Sequence, residues 1–151
     1  MATGMTDPSL NGMTVVIIQS DSTESRRVQD EIEQHLRAHQ YSERDIFSIK
    51  LALEEALVNA IKHGNQLDKQ KKVHIHYKVT SSRFDVRITD EGGGFDPGDV
   101  PDPTAVENLE RPSGRGLMLM RHYMNEVCYN DNGTTVVMSK NRLGPEATSD
   151  S

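Results

Sequence analysis

The sequence predicts an α+β domain, a two-layer sandwich in which one mixed, mostly antiparallel sheet carries helices on one face. Two observations favour strands: residues 73–80 with 83–89, and 126–130 with 134–139, alternate between apolar and polar side chains and form two hairpins. A third observation favours helices, because apolar residues recur every three or four positions in the intervening segments. Strands and helices interleaved in this order are typical of such a sandwich.

The elements follow one another without a long linker. A β-branched run predicts a strand over residues 13–18, and helical spacing predicts a helix over 25–38. Ser42 is a suitable N-cap for a long helix over 43–63, since Asp45 follows three residues later, and Gly64 with Asn65 supplies its end. A further helix is predicted over 117–124, directly after two glycines. The proline-rich, acidic segment 97–112 predicts a loop with one short helical turn near 105–109.

The bulk properties indicate a single cytoplasmic domain. A chain of 151 residues fits one domain, predicted over residues 12–140, with flexible tails at 1–11 and 141–151. The net charge of −6 argues against direct binding to nucleic acid or to an anionic membrane. The single cysteine, Cys128, excludes an internal disulfide, which is typical of a reducing compartment. We find no apolar run of the roughly 20 residues that span a bilayer, and no secretory signal.

One stripe of the long helix carries polar side chains that suit phosphate chemistry. Glu55, Asn59 and Lys62 stand at i, i+4 and i+7, and His63 lies at the edge of the stripe. Asn59 offers an amide oxygen to a hard cation such as Mg²⁺, and Lys62 can act as a point charge against phosphate. Glu55 could orient or deprotonate a hydroxyl. The alternative is an ordinary solvated helix face, which this stripe also fits.

A carboxylate followed by glycines ends the second strand of the first hairpin. An ionised Asp90 can accept a hydrogen bond from the exocyclic amine of adenine, and Gly92 and Gly94 would let the backbone pass close to the base. The alternative is a strand-to-loop turn capped by an aspartate. His74 and His76 share one face of the preceding strand, but no carboxylate or cysteine stands near them at ligand spacing. We therefore predict no zinc site there.

A second glycine segment precedes the last helix. Gly114, Arg115 and Gly116 come just before Leu117, where free backbone N–H groups and the helix dipole attract phosphate. The alternative is a flexible N-terminal turn. The polar segment 96–112 lies between the two glycine segments, and it is either a lid over a ligand or an insertion. Taken together, the three segments predict an ATP site.

These segments carry a family resemblance. Residues 54–64 (EEALVNAIKHG) resemble the N-box of the GHKL ATPase superfamily, whose domains have the Bergerat-type sandwich. Residues 90–97 resemble its first glycine box, 113–117 its second, and 133–136 its closing strand. The likeness spans about residues 12–140 and is greatest to the bacterial anti-sigma factor serine/threonine kinases.

The resemblance implies a role for each matching residue. Asn59 would hold Mg²⁺ against the phosphates of ATP, and Glu55 would be the general base that activates a substrate hydroxyl. Asp90 would bind the adenine amine, and Thr135 would back the base. The full set predicted to bind nucleotide is Asn59, Lys62, His63, Asp90, Gly92, Gly94, Gly114, Arg115, Gly116, Leu117 and Thr135.

The resemblance also implies an activity and partners. Members of the kinase family transfer the ATP γ-phosphate to a serine or threonine of an anti-anti-sigma protein with a STAS domain, and they sequester a sigma factor. They act as homodimers, and the edge strand over residues 14–18 is a candidate contact. An alternative is a binding module in which ATP gates a lid without phosphotransfer. A third alternative is a soluble ATPase that resembles sensor histidine kinases and phosphorylates another kind of acceptor. It is disfavoured, because Glu55 stands where sensor kinases carry asparagine.

Overall fold

The computed structural model describes residues 12–92, 114–130 and 133–143. Within these ranges the chain forms five strands, three α-helices and one short π-helix, which we call the π turn. In chain order the elements are β1 (Thr14–Gln19), α1 (Ser22–Ala38), α2 (Glu43–Val58), the π turn (Asn59–Gly64), β2 (Lys72–Val79), β3 (Arg83–Asp90), α3 (Gly114–Tyr123), β4 (Glu126–Asn130) and β5 (Thr135–Asn141).

The strands form one sheet in the order β1-β2-β3-β5-β4. Each described pair of neighbouring strands is antiparallel, and both predicted hairpins are present as β2–β3 and β4–β5. Strands β1 and β4 are the sheet edges. Helix α2 packs against both α1 and α3, and α1 contacts β1, so the helices form a second layer. The predicted α+β sandwich is confirmed.

One face of the sheet supplies the core. Alternate residues of β3, Phe84, Val86 and Ile88, are at most 1% exposed, and their neighbours along the strand are half-buried. The same alternation holds in β2, as expected for a sheet with one covered face. The helices contribute buried side chains at helical spacing, among them Val28, Ile32, Leu36, Ile46, Ile49, Leu53 and Leu57.

Both long helices begin with side-chain caps. The Asp21 carboxylate accepts from the backbone N–H of Thr23 at 2.7 Å at the start of α1. The Ser42 hydroxyl accepts from the N–H of Asp45 at 3.0 Å at the start of α2, as its position in the sequence predicts. The caps fix where α2 starts, and therefore which of its residues reach the site at its other end.

The predicted long helix is not α-helical throughout. Helix α2 ends at Val58, and the π turn continues the chain to Gly64. The N–H of Asn65 donates to the carbonyl of Ala60 at 2.8 Å, an i→i+5 bond. The prediction of one regular helix over 43–63 is therefore wrong in its last turn. A π turn adds a residue to the turn and is common at functional sites.

Other boundaries also differ from expectation, and α1 begins at Ser22, three residues earlier than predicted. Helix α3 begins at Gly114, three residues earlier than predicted, so both glycines belong to its first turn. At the other end, β5 runs to Asn141 and the chain stays hydrogen-bonded past the predicted boundary at residue 140. Arg142 N–H donates to the carbonyl of Ser82 at 2.9 Å, and Leu143 N–H to the Asp45 carboxylate at 3.1 Å. The predicted tail over 1–11 and the helical turn at 105–109 lie outside the described residues.

Candidate functional site

The helical part of the site lies where α2 meets the π turn. Asn59 is the first residue of the π turn and is 7% exposed, and Glu55, four residues earlier, is half-buried. The Asn59 amide nitrogen donates to the Tyr129 hydroxyl at 3.3 Å. This bond turns the amide oxygen, the atom that suits a hard cation, away from Tyr129.

Tyr129 lies on β4, and its hydroxyl accepts the hydrogen bond from Asn59. Burial raises the pKa of its phenol, the hydrogen bond from Asn59 lowers it, and the carboxylates of Asp90 and Glu55 raise it again. Of the predicted site residues, Asn59 is the one whose hydrogen bond to this hydroxyl the structure shows. The structure thus places Tyr129, which the sequence reasoning missed, against Asn59 at the start of the π turn. Its only sequence signal is the alternation that directs Val127 and Tyr129 to the same face of β4.

Asp90 ends β3 on the covered face of the sheet, 8% exposed. Its carboxylate accepts from the N–H of Gly92 at 2.8 Å, and its own N–H donates to the carbonyl of Thr134 at 2.9 Å. Burial raises the pKa of the Asp90 carboxyl above its ordinary value, although the Gly92 N–H and the Lys71 ammonium lower it. An added hydrogen-bond donor, such as the amine of a nucleobase, stabilises the ionised form of a buried carboxylate.

The end of the π turn and the loop after β3 touch backbone to backbone. A Cβ on Gly92 would lie 1.8 Å from the carbonyl oxygen of Gly64, and a Cβ on Gly64 would lie 2.4 Å from Cγ of Asp90. Neither glycine can be replaced without moving its neighbour. This contact fixes the distance between the helical part of the site and Asp90. The structure describes Gly92, whereas Gly94 lies outside the described residues.

Lys62 lies elsewhere. It is exposed and lines a groove of 190 Å³ between α1 and the π turn, together with Ser22, Arg26, Val58 and Leu67. Neither Asn59 nor Asp90 lines this groove. The structure therefore does not bring Lys62 to the other predicted site residues. Glu54 and Val58, which line the same groove, stand eight and four residues before Lys62, so Lys62 shares their helical face. His63, also on the π turn, is half-buried.

The second glycine segment forms the first turn of α3. Gly114 and Arg115 open the helix, Gly116 is buried, and Leu117 packs partly buried against the core. The N-terminal turn of a helix favours bound phosphate through its backbone N–H groups and the helix dipole. Helix α3 packs against α2, which carries Glu55. This packing places the phosphate-binding candidate next to the helix that holds the catalytic candidate.

Thr135 is directed away from Asp90. The Thr135 hydroxyl is 2.9 Å from the hydroxyl of Thr89, which precedes Asp90 in β3. Successive side chains of a strand point to opposite faces, so Thr135 and the Asp90 carboxylate lie on opposite sides of the sheet. Thr134 lies beside Asp90 instead, through its carbonyl. The role predicted for Thr135, backing the adenine base, stays a prediction.

A carboxylate does lie beside His74. The Glu91 carboxylate is 2.8 Å from Nε2 of His74, contrary to the expectation that no carboxylate stands near this histidine. The pair is a hydrogen-bonded contact between β2 and the loop after β3. Among the residues that the structure describes, no group of three or more histidine, cysteine, aspartate or glutamate side chains could hold a metal ion. In the same ranges, no helix is long and apolar enough to span a lipid bilayer.

The chain matches known proteins over most of its length. A family model described as a histidine kinase-like ATPase domain matches residues 18–140. Serine-protein kinase RsbW of Bacillus licheniformis is 36% identical over 109 residues, covering 66% of this chain and 67% of that protein. Serine/threonine-protein kinase BtrW of Bordetella bronchiseptica is 31% identical over 91 residues, covering 59% and 64% respectively.

A solved structure agrees with the fold. The RsbU and RsbW domains of a Mycobacterium tuberculosis protein match with a TM-score of 0.59 over 87% of this chain and 32% of that one. At 13% sequence identity, this likeness shows the fold alone. The family identified from the motifs is confirmed by the domain match and the RsbW relatives. The chain therefore belongs to the histidine kinase-like ATPase domain family.

Proposed function

We propose that this protein is an ATP-dependent protein serine/threonine kinase that acts as an anti-sigma factor in the cytoplasm. The observation that carries the proposal is the close approach of Asp90 to Gly64 at the end of the π turn, which begins at Asn59, one helical turn after Glu55. A hydroxyl-activating carboxylate, a metal-ligating amide and a buried adenine acceptor are what a kinase of this fold needs around one nucleotide. The RsbW and BtrW relatives are named as protein kinases, which supports the same activity.

The residues present fit Mg²⁺ and ATP. Asn59 supplies an amide oxygen, Asp90 supplies a buried acceptor whose charge a donor would stabilise, and the first turn of α3 supplies N–H groups for phosphate. When bound, Mg²⁺ would neutralise charge on the phosphate oxygens. We assign Gly92, Gly114, Arg115, Gly116 and Leu117 to the walls of the site. We also propose His63, Gly94 and Thr135 as nucleotide-binding residues.

The proposed reaction transfers a phosphoryl group in one step. Glu55 accepts the proton of a substrate serine or threonine hydroxyl while the hydroxyl oxygen attacks the γ-phosphorus. The bond from that phosphorus to the bridging β-phosphate oxygen breaks, and ADP leaves. Asp90 holds the adenine, so the γ-phosphate stays aligned with the attacking oxygen. The products are ADP and a phosphorylated partner.

We propose two kinds of partner: a STAS-domain anti-anti-sigma protein as phosphoacceptor, and a sigma factor as the sequestered protein. We also propose a homodimer that uses edge strand β1, on which Val15 and Ile17 are 54% and 52% exposed. The test is capture of partners from native lysate with and without ATP, followed by mapping of phosphoserine and phosphothreonine. Capture without any ATP-dependent phosphorylation would contradict the kinase and favour the binding module.

Asn59→Ala is expected to lower affinity for ATP in magnesium buffer by at least about tenfold, since it removes the proposed metal ligand. Affinity for ADP in EDTA should change much less. Calorimetric titration in the two buffers measures both. Lys62→Ala is the matched comparison on the same π turn. We expect this variant to bind ATP normally, because Lys62 lines the groove between α1 and the π turn. Equal losses in both buffers for Asn59→Ala would argue against a metal ligand.

Asp90→Asn is expected to weaken ADP binding by about 10- to 100-fold, because it replaces a charge-assisted hydrogen bond with a neutral one. It should not lower stability at neutral pH. Burial raises the pKa of folded Asp90 above its unfolded value, so this carboxyl favours the folded state below the unfolded pKa. That contribution is lost as pH rises through the folded pKa.

Two measurements check these signs: thermal unfolding and ADP titration of Asp90→Asn at neutral pH. For the wild-type protein, ADP affinity should fall as pH drops through the raised pKa of Asp90, and in the variant this pH dependence should disappear. Asp85→Asn is the matched control, since it lies on the same strand and pairs with Arg83. A pH profile identical in wild type and Asp90→Asn would remove Asp90 from the binding reaction.

A further inference from the structure

Asn65, the residue after the π turn, is 0% exposed and its amide is fully engaged. Its nitrogen donates to the Ser20 hydroxyl at 2.9 Å and to the Lys72 carbonyl at 3.0 Å. Its oxygen accepts from the N–H of Glu91 at 2.8 Å. An asparagine amide has two N–H donors, and both find partners here. The sequence analysis treated this residue only as a helix stop.

The partners of Asn65 lie at the ends of three strands. Ser20 follows β1, Lys72 begins β2, and Glu91 follows β3. Two further bonds close the cluster: the Ser20 hydroxyl donates to the Lys71 carbonyl at 2.8 Å, and the Lys72 N–H donates to the Glu91 carboxylate at 3.0 Å. One buried amide therefore connects the end of the π turn to one end of the sheet.

The bond to Glu91 bears on Asp90. The N–H that Asn65 accepts belongs to the peptide bond between Asp90 and Glu91. Because a peptide bond is planar, holding this N–H restricts rotation about the backbone that carries the Asp90 carboxylate. The Gly92 N–H also donates to the Asp90 carboxylate, at 2.8 Å. Asn65 thus acts on Asp90 without touching it.

We propose that Asn65 is a positioning residue that holds the loop after β3 in the geometry that recognises an adenine base. The inference rests on the proposed nucleotide site. Adenine presents an amine donor where guanine presents a carbonyl acceptor. A correctly placed Asp90 carboxylate therefore favours adenine and repels guanine, and a displaced one loses this discrimination. Small displacements of positioned groups have large effects on recognition.

The test compares two ways of breaking the same bond. Asn65→Ala removes the acceptor, and Glu91→Pro removes the N–H donor while leaving Asn65 intact. Each has a matched control. Ser20→Ala breaks a different bond of the same buried amide, and Glu91→Ala removes the Glu91 side chain but keeps its N–H. Affinities for ADP and GDP are measured by calorimetry without magnesium, and folding is checked by circular dichroism.

We expect Asn65→Ala and Glu91→Pro to lower ADP affinity by about tenfold or more and to reduce the preference for ADP over GDP. Ser20→Ala and Glu91→Ala should keep that preference, whatever their melting temperatures. A merely structural Asn65 would change stability without changing the ratio. If Asn65→Ala does not fold, the comparison of Glu91→Pro with Glu91→Ala decides alone.

Two outcomes would overturn the inference. One is an unchanged ADP-to-GDP ratio in folded Asn65→Ala or in Glu91→Pro, and the other is an equal loss in Glu91→Ala. In both cases a wild-type protein that binds ADP leaves the proposed function standing. A wild-type protein that binds no ADP overturns the proposed function, and this inference with it.

Discussion

Replacing Glu55 with glutamine is expected to slow phosphotransfer by about 10²- to 10⁴-fold while ADP affinity stays nearly unchanged. Glutamine keeps the size and the hydrogen-bonding reach of the side chain but cannot accept the proton of a substrate hydroxyl. Glu55 is half-buried, and a side chain of nearly the same size leaves the surrounding packing intact. The measurement is single-turnover transfer from labelled ATP to the captured partner, together with ADP calorimetry.

Glu54→Gln is the matched control for this experiment. Glu54 is the adjacent carboxylate, but it accepts from the Gln29 amide at 2.9 Å and lines the groove beside α1. We expect its transfer rate to equal that of the wild type. Full transfer by Glu55→Gln would contradict the general-base assignment. Partner capture without any transfer by the wild type would instead favour the ATP-gated binding module.

Gly92→Ala is the second substitution for which we expect a large effect. Its Cβ would lie 1.8 Å from the Gly64 carbonyl oxygen, and a backbone atom cannot yield as a flexible side chain can. The loop must therefore move away from the π turn and carry Asp90 with it. We expect ADP affinity to fall by at least about tenfold and stability to fall by about 1–3 kcal/mol.

Gly12→Ala is the control for the general cost of adding a methyl group to a glycine. Its nearest neighbour would be the end of the Lys78 side chain at 3.6 Å, and its φ of +79° makes alanine strained there too. Stability should fall by about 1–3 kcal/mol, with normal ADP binding. Chemical unfolding and ADP titration measure both quantities. Normal ADP affinity in Gly92→Ala would show that the close approach to Gly64 does not shape the site.

The sequence predicted the parts of this fold that depend on local patterns. The Ser42 cap, the two hairpins and the covered face of the sheet follow from side-chain chemistry and from periods of 2 and 3.6 residues. The motifs at 54–64 and 90–97 also predicted that these two segments meet, and the structure brings Gly64 against Asp90. In these cases the information lies within a few consecutive residues.

The features that the sequence did not predict depend on contacts between distant residues. Asn59 and Tyr129 are 70 positions apart, and Asn65 and Glu91 are 26 apart, so no local pattern records either bond. The π turn escaped notice because the same side chains fit an α-helix equally well. Its i→i+5 bond joins the N–H of Asn65 to the carbonyl of Ala60, and the Asn65 side chain is in turn hydrogen-bonded to β2.

The extra residue of the π turn decides which changes of length this segment tolerates. Loss of one residue between 59 and 64 can be absorbed by a return to an ordinary α-helical turn, which leaves Gly64 and Asn65 near their places. Loss of one residue within α2 has no such outlet, and it rotates everything after it by about 100° around the helix axis. Gly64 and Asn65 would then no longer meet the loop after β3. A one-codon deletion in α2 is therefore expected to abolish nucleotide binding.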